Sequence, residues 1–282
     1  MNNNLIEKHA KSFYWASFFL PKEIFNKSSC LYNFCRTLDD IVDSDNKLEI
    51  KRENFIKFKK NFTNKYFNDP IIKDMWSIID SEKISKKVVN DLFDGVETDL
   101  EEKVEIKTKK DLFLYSYRVA GTVGLMMSKI LKVKNKEALK GAIDLGIAMQ
   151  LTNIARDVCE DKKNNRQYIK PDFSSIKEII LESQIFYQKS FNSISSIPLR
   201  SRFSVIVARR VYKKIGCYIL KQKNTDNYNK AGKIYVPLLG KIFQTFLSIF
   251  DFIKLLFVEE LNYDNHFNHN ILKEQININE RI

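Results

Sequence analysis

The chain has 282 residues, of which 44% are hydrophobic, enough for one large core or two small domains. Its 8 Gly and 5 Pro are few for an all-β or α/β protein, and its four scattered cysteines and three histidines disfavour a disulfide framework or a zinc site. A net charge of +12 suggests an anionic partner, but no nucleic-acid-binding motif accompanies it, so we expect no nucleic acid among the partners.

Apolar residues recur at helical spacing along the chain and predict an all-α protein. The N-terminus, MNNNLIEKHAKSFYW, has no uninterrupted apolar run and does not resemble a secretory signal. Helices are predicted over residues 22–43, 85–100, 110–132, 135–162, 174–195 and 200–223.

The last apolar segment covers residues 234–257. Polar residues and Pro237 interrupt it, which favours a buried or interfacial helix over a membrane span. Because nothing resembles an interdomain linker, we expect a single domain over 1–263, followed by a polar, frayed tail over 264–282.

Two acidic clusters lie on predicted helices, each on one face. An arc of about 60° in LYNFCRTLDDIVD (31–43) holds Tyr32, Arg36, Asp39 and Asp43. An arc of about 80° in AMQLTNIARDVCED (148–161) holds Gln150, Asn153, Asp157 and Asp161. This second face is apolar toward the start of its helix and acidic toward the end.

Aspartates four residues apart favour a divalent cation. Such carboxylates lie roughly 5–6 Å apart, and at an effective dielectric constant of about 20 their repulsion costs on the order of 3 kcal/mol. Aspartate and Asn oxygens suit Mg²⁺, which takes water and substrate phosphate as further ligands. Arg36 and Arg156 lie beside the clusters and can bind phosphate oxygens. The alternative is that the acids only form exposed ion pairs with these arginines.

These residues resemble the two aspartate-rich motifs of the squalene and phytoene synthases. Further segments similar to that family, in the same order, are HAKSFYWASFFLP (9–21), YSYRVAGTVGLMM (115–127), DLGIAMQLTNIARDV (144–158), NRQYIKP (165–171) and ARRVYKKIG (208–216). The resemblance weakens after Gly216, where the family's basic pattern is blurred into TDNYNKAGKIYVPLLGK.

The resemblance implies the class I isoprenoid synthase fold, a bundle of helices around a central cavity. Implied ligands of Mg²⁺, for which Mn²⁺ can substitute, are Asp39, Asp43, Asn153, Asp157 and Asp161. Implied diphosphate-binding residues are Lys11, Ser12, Arg36, Arg156, Arg166, Tyr228 and Lys233. Implied tunnel residues are Phe13, Tyr32, Tyr117, Ala120, Gly121, Gly124, Gly146, Met149 and Gln150, for which the alternative is ordinary core packing.

Tyr117 is also counted as catalytic together with the four aspartates, since the terminal base is either diphosphate itself or a tyrosine. Glycine inside a helix costs about 0.8–1 kcal/mol relative to alanine, so Gly121 and Gly124 indicate close approach by something bulky. The small residues Ala120, Gly121 and Gly146 are predicted to leave room for a C20 tail, so that Gly146→Leu would penalise C20 substrates more than C15 substrates.

For the activity, the resemblance implies head-to-head condensation of two prenyl diphosphates through a cyclopropylcarbinyl diphosphate. The motifs are most similar to the bacterial phytoene branch, which implies conversion of two geranylgeranyl diphosphates to phytoene via prephytoene diphosphate in carotenoid biosynthesis, without NADPH. One alternative is a squalene or presqualene diphosphate synthase that uses farnesyl diphosphate. Another is a catalytically silent, membrane-associated assembly factor, against which the intact acidic motifs argue.

The expected partners are prenyl diphosphate substrates and a membrane surface, for a cytoplasmic monomer or weak dimer that lies peripherally on the inner face of the membrane. Residues 234–257 supply apolar side chains at helical spacing for such contact, namely Phe243, Phe246, Leu247, Phe250, Ile253 and Leu256. The alternative is that these side chains complete the core.

Overall fold

Helices make up most of the chain over the residues that the computed structural model describes, which are 11–258, 272 and 274–282. These helices are α1 (Lys11–Ser17), α2 (Lys22–Asp43), α3 (Leu48–Thr63), α4 (Pro70–Glu82), α5 (Lys86–Glu97), α6 (Lys109–Ser116), α7 (Thr122–Ile130), α8 (Lys136–Lys163), α9 (Phe173–Lys189), α10 (Leu199–Leu220), α11 (Thr225–Ala231) and α12 (Leu238–Lys254). Two short strands, β1 (Val104–Glu105) and β2 (Arg166–Gln167), pair in parallel. Within these ranges no helix has both the length and the apolarity that crossing a bilayer requires.

The predicted helices are present, and most of their ends lie within one to three residues of the prediction. The helix α2 has the predicted bounds. The segment predicted as one helix over 110–132 is divided into α6, a π-helical turn (Tyr117–Gly121) and α7. The predicted helix over 174–195 ends at Lys189, before a separate 3₁₀ turn. The helices α1, α3, α4 and α11 were not predicted.

An aromatic cluster packs behind α2 and orients it. The buried residues Leu31, Phe34, Leu38 and Val42 recur every three or four positions on one face of α2. The Phe34 ring lies 5.3 Å from the Phe62 ring of α3 and 5.8 Å from the Phe93 ring of α5. Truncating a buried phenylalanine of this kind typically costs about 3–5 kcal/mol. This packing leaves the face with Tyr32 and Asp39 turned toward the interior cavity.

The central helix α8 crosses the π-turn and α7 unusually closely. A Cβ atom at Gly146 would lie 2.2 Å from the carbonyl oxygen of Ala120, and one at Gly124 would lie 2.3 Å from that of Ala142. Only glycine allows two backbones to approach this far. The prediction of close approach at Gly124 is therefore correct, but the approaching group is a neighbouring helix.

The described part of the C-terminal tail packs against the core, although we expected a frayed tail. Leu272, Ile276 and Ile278 are buried within the main hydrophobic cluster. The Arg281 guanidinium donates two hydrogen bonds, of 2.9 and 3.0 Å, to the Asp91 carboxylate of α5. Apolar residues between the polar ones explain this packing, because their burial offsets the entropy of ordering the segment.

Candidate active site

A mostly apolar cavity of about 370 Å³ lies between α1, α2, α7, α8 and α10. Nine of the predicted site residues line it, namely Phe13, Tyr32, Asp39, Ala120, Gly124, Gly146, Met149, Gln150 and Asn153. The size and the apolar walls suit an elongated hydrocarbon better than a polar metabolite.

The acidic residues lie at one end of this cavity because of helix periodicity. On α8 the cavity face is formed by Ala138, Ala142, Leu145, Met149 and Asn153, at steps of three or four residues. Asp157 and Asp161 continue that face by two further steps. Since α8 rises 1.5 Å per residue, Ala138 lies about 22 Å from Asn153 along the helix axis. The helix therefore runs from an apolar end of the cavity to an acidic end.

Arg166 connects the two acidic clusters. The pairing of β1 with β2 places Arg166 opposite Val104, just beyond the end of α8. Its guanidinium donates a hydrogen bond of 2.7 Å to the Asp43 carboxylate and another of 3.3 Å to the Val42 carbonyl. The same positive charge acts on Asp161, where it partly offsets the burial and the repulsion from Asp157 that raise the pKa of that carboxyl group. Arg166, one of the implied diphosphate-binding residues, therefore lies between the two aspartate clusters.

Each cluster contains one carboxyl group whose ionisation is disfavoured. Asp39 keeps surface accessible from the cavity, yet desolvation by the crowded protein around it, and then repulsion from Asp43, raise the pKa of Asp39 to about 7. Burial and repulsion from Asp157 likewise raise the pKa of Asp161 to about 8. A bound cation would reverse both effects, because it favours the ionised carboxylates.

The remaining charged groups at the clusters form ion pairs. Arg156 donates bidentate hydrogen bonds of 2.8 and 2.6 Å to Asp157. The Lys233 ammonium lies 3.5 Å from the same carboxylate and also contacts Glu160. Arg36 forms an ion pair with Asp40, in which the two charged groups lie 2.5 Å apart. No role for Asp40 in the site was predicted from the sequence. Because these three cations lie at the acidic clusters, each could bind a diphosphate in place of its present carboxylate partner.

The donor set fits Mg²⁺ that arrives with a diphosphate. In the described part of the chain, no three carboxylate, His or Cys side chains are arranged to hold a metal ion by themselves. Magnesium in phosphate-transfer sites is typically held by one or two carboxylates, with phosphate oxygens and water as the other ligands. The buried Oδ1 atom of Asn153 has no hydrogen-bond partner, and neither has Nε of Arg36. The Asn153 oxygen could therefore bind a metal ion, and the Arg36 N–H group could donate a hydrogen bond to a phosphate oxygen.

Sequence reasoning missed a group built around Asp99. The Asp99 carboxylate accepts hydrogen bonds from the hydroxyls of Tyr115 at 2.8 Å and Tyr168 at 2.6 Å. The two tyrosine rings stack with centroids 4.7 Å apart. Desolvation raises the pKa of Asp99, and Arg166 and Asp43 both act on it electrostatically. The acidic segment GVETDL (95–100), which contains Asp99, was the signal available in the sequence.

Two of the predicted tunnel residues, Tyr117 and Gly121, do not line the cavity. Tyr117 is fully buried, and its hydroxyl donates a hydrogen bond of 2.8 Å to Asp91 on the far side of the π-turn. Residues two positions apart on a helix differ by about 200° in direction. Tyr115 and Tyr117 therefore point to nearly opposite sides of the helix, and only one of them can face the acidic site. Gly121 packs between Tyr117 and Ile143. The prediction that Tyr117 and Gly121 face the tunnel is therefore wrong.

The other predicted diphosphate-binding residues are placed as follows. The Tyr228 hydroxyl donates to the main-chain carbonyls of Ala155 and Arg156, at 3.0 and 2.8 Å, so it anchors α11 to α8. Ser12 lies half-buried on α1, beside Phe13. The side chain of Lys11 is outside the described part of the structure.

Comparison with known proteins gives consistent matches. A family model described as squalene/phytoene synthase matches residues 6–172. The chain is 26% identical to the 15-cis-phytoene synthase of Pantoea ananas, over 77% of this chain and 83% of that protein. It is 27% identical to a phytoene synthase of Rhodobacter capsulatus, over 80% and 74% of the two chains.

A solved structure with a similar fold is that of a dehydrosqualene synthase in complex with a ligand. It superimposes with a TM-score of 0.73 and 27% identity, over 89% of this chain and 94% of that one. A squalene synthase from Alicyclobacillus acidocaldarius, with a TM-score of 0.67 and 17% identity over 78% and 91% of the two chains, shares the fold. The expected isoprenoid synthase fold is confirmed.

Proposed function

Because the chain belongs to the squalene/phytoene synthase family, we propose that it condenses two prenyl diphosphates head to head, with phytoene as the product. The observation that supports this most directly is a long apolar cavity with two aspartate clusters at one end. The substrates would be two geranylgeranyl diphosphates, joined by way of prephytoene diphosphate.

The charged end of the cavity would bind the diphosphates and promote their departure. Mg²⁺, held by Asp39, Asp43, Asn153, Asp157 and Asp161, would neutralise charge on the leaving diphosphate as a Lewis acid. Arg156 and Lys233 would turn from Asp157 to the phosphate oxygens once the carboxylate has another partner. The Arg156 guanidinium can then donate two parallel hydrogen bonds to phosphate, and the Lys233 ammonium adds a further positive charge.

The walls of the cavity would protect the carbocations that follow ionisation. Phe13 and Tyr212, whose rings lie 4.9 Å apart, both line the cavity, and aromatic rings in such a wall would stabilise a cation. Apolar side chains from α7 and α8 exclude water, which would otherwise capture the cation. Tyr115, held by Asp99 beside the acidic clusters, replaces Tyr117 as the tyrosine that we propose to act in proton transfer.

A synthase that uses C15 substrates is the second candidate. It is favoured by the similarity to the dehydrosqualene synthase structure, which has the same level of sequence identity as the phytoene synthases. The two candidates differ in the length of hydrocarbon that the cavity has to hold.

Product analysis distinguishes these functions. The purified chain would be incubated with C15 or C20 diphosphate and Mg²⁺, with and without NADPH, and the extract analysed by mass spectrometry. We expect a C40 hydrocarbon from the C20 substrate, unaffected by NADPH. A C30 product from the C15 substrate alone would favour the second candidate, and the absence of any product would favour a silent assembly factor.

The metal and the aspartates are tested together. Activity should disappear with EDTA and return with Mg²⁺ or Mn²⁺, and recovery with zinc alone would contradict the proposal. Asp39→Asn and Asp157→Asn should each lose most turnover without a large fall in melting temperature. The matched control is Asp80→Asn, which neutralises an exposed carboxylate on α4 and should leave turnover unchanged.

We also propose that the enzyme is a cytoplasmic monomer or weak dimer, positioned peripherally on the inner face of the membrane. Prenyl chains and a C40 product are too apolar to exchange through water, so a bilayer is the natural source and destination. Cell fractionation should find the protein with membranes at low salt and release it at high salt or in detergent.

A further inference from the structure

The helix α12 is inverted relative to the usual amphipathic helix of a soluble protein. Its outward face, an arc of about 120°, carries only large apolar residues, which are Ile242, Phe243, Phe246, Ile249, Phe250 and Ile253. Each of them is between 45% and 58% exposed. The two fully buried residues of α12 are polar, Gln244 and Ser248. A surface helix normally buries its apolar stripe and exposes its polar one, so these side chains do not complete the core.

Polar contacts hold α12 in this orientation. Asp251 accepts a hydrogen bond of 2.6 Å from Arg210 on α10. The Thr245 hydroxyl accepts one of 2.9 Å from the indole of Trp15 on α1. These contacts favour the observed rotation of the helix about its axis, because a half-turn would leave the Arg210 charge and the Trp15 donor without their partners.

The helix α1 extends the apolar surface and also borders the cavity. Phe18 and Phe19 follow α1 and are 63% and 36% exposed. Phe13, Ala16 and Leu20 line the cavity. A single short segment therefore separates the exposed apolar surface from the space that would hold the prenyl chains.

We infer that the outward face of α12, together with Phe18 and Phe19, is a docking surface for an anionic lipid bilayer. A contiguous apolar face of this kind marks an interaction site rather than ordinary surface. A helix with such a face lies in the interface plane of a membrane, with its apolar side among the acyl chains. Exposed Lys22 and Lys254 flank the surface, and the net charge of +12 adds attraction to anionic headgroups.

This orientation has a consequence for the substrates. Docking through α12 and α1 places the α1 wall of the cavity against the bilayer, so prenyl chains exchange between membrane and cavity at this wall. The functional importance of this surface rests on the proposed use of prenyl substrates. Its tests measure binding to vesicles and require no turnover.

The two tryptophans of the chain test the orientation directly. Trp15 lies beside α12, whereas Trp76 is buried on α4, where it stacks on Phe62. With vesicles of phosphatidylglycerol and phosphatidylcholine that carry brominated acyl chains, the tryptophan emission should decrease. Trp15→Phe should abolish this loss and Trp76→Phe should retain it. Absence of quenching, or equal quenching in Trp15→Phe, would overturn the proposal.

Flotation tests the surface itself with a matched pair of variants. Phe246→Asp with Phe250→Asp should abolish co-flotation with phosphatidylglycerol vesicles, while the circular dichroism spectrum and the melting temperature are unchanged. The control, Ile56→Asp with Phe67→Asp, charges two comparably exposed apolar residues elsewhere and should float as the unmodified protein does. If both variants float, or if the first only converts a dimer to a monomer in sedimentation, the face binds something other than lipid and the inference is wrong.

Discussion

Replacing Gly146 by alanine tests the helix crossing that forms one wall of the cavity. The added Cβ would lie 2.2 Å from the carbonyl oxygen of Ala120 and 2.7 Å from its carbon, both backbone atoms that cannot rotate away. The helices would have to separate by roughly 1 Å to restore normal contact distances. Overpacking of this kind costs about 1–3 kcal/mol or more, against a gain of about 1 kcal/mol in helix propensity.

We therefore expect a net loss of about 1–2 kcal/mol. For a chain of 282 residues this corresponds to a fall in melting temperature of roughly 2–3 °C. The control is Gly216→Ala, inside α10, where the new Cβ would meet only the side chain of Ile180 at 3.2 Å. Thermal unfolding followed by circular dichroism should leave this control unchanged or slightly more stable. Equal melting temperatures for the two variants would refute the close crossing.

The same geometry changes the interpretation of Gly146→Leu. We predicted from sequence that this substitution would penalise C20 substrates more than C15 substrates. Because the new side chain would begin inside the backbone of Ala120, it should displace α8 and reduce the use of both chain lengths.

Other positions give more selective tests. Ala138→Phe, at the apolar end of the cavity, should lower kcat/KM for C20 substrate roughly tenfold more than for C15 substrate; equal losses would mean that the distal tail lies elsewhere. Tyr115→Phe and Tyr117→Phe should each lose about 1 kcal/mol of stability with the buried hydrogen bond, but only Tyr115→Phe should reduce turnover; loss of turnover in Tyr117→Phe alone would restore Tyr117 as the catalytic tyrosine. Arg281→Ala should cost about 2–3 kcal/mol in urea unfolding, because it leaves the Asp91 carboxylate buried without its cation, and unchanged stability would show that the tail does not stabilise the core.

The sequence by itself determined the features that depend on a single helix. Periodicity places Asp39 with Asp43, and Asn153 with Asp157, on common faces, because residues three or four apart are neighbours on any α-helix. The bounds of α2 and the all-α class follow from the same local pattern. The order of the motifs along the chain identified the family.

Only the tertiary structure decided which face of each helix meets which neighbour. Tyr115 and Tyr117 are both aromatic and two residues apart, and the packing of the π-turn against α8 and α5 decides which of them reaches the acidic site. Arg166 reaches Asp43 across 123 positions of the chain through the pairing of β1 with β2, which no local signal predicts.

The helix α12 shows the same division most clearly. Its apolar residues at helical spacing predict burial in some apolar environment, but the hydrophobic effect is not directional and does not specify whether that environment is the protein core. The orientation of α12 depends on Trp15 and Arg210, which come from distant parts of the chain. The apolar face is exposed because these polar contacts hold the opposite face of the helix against α1 and α10.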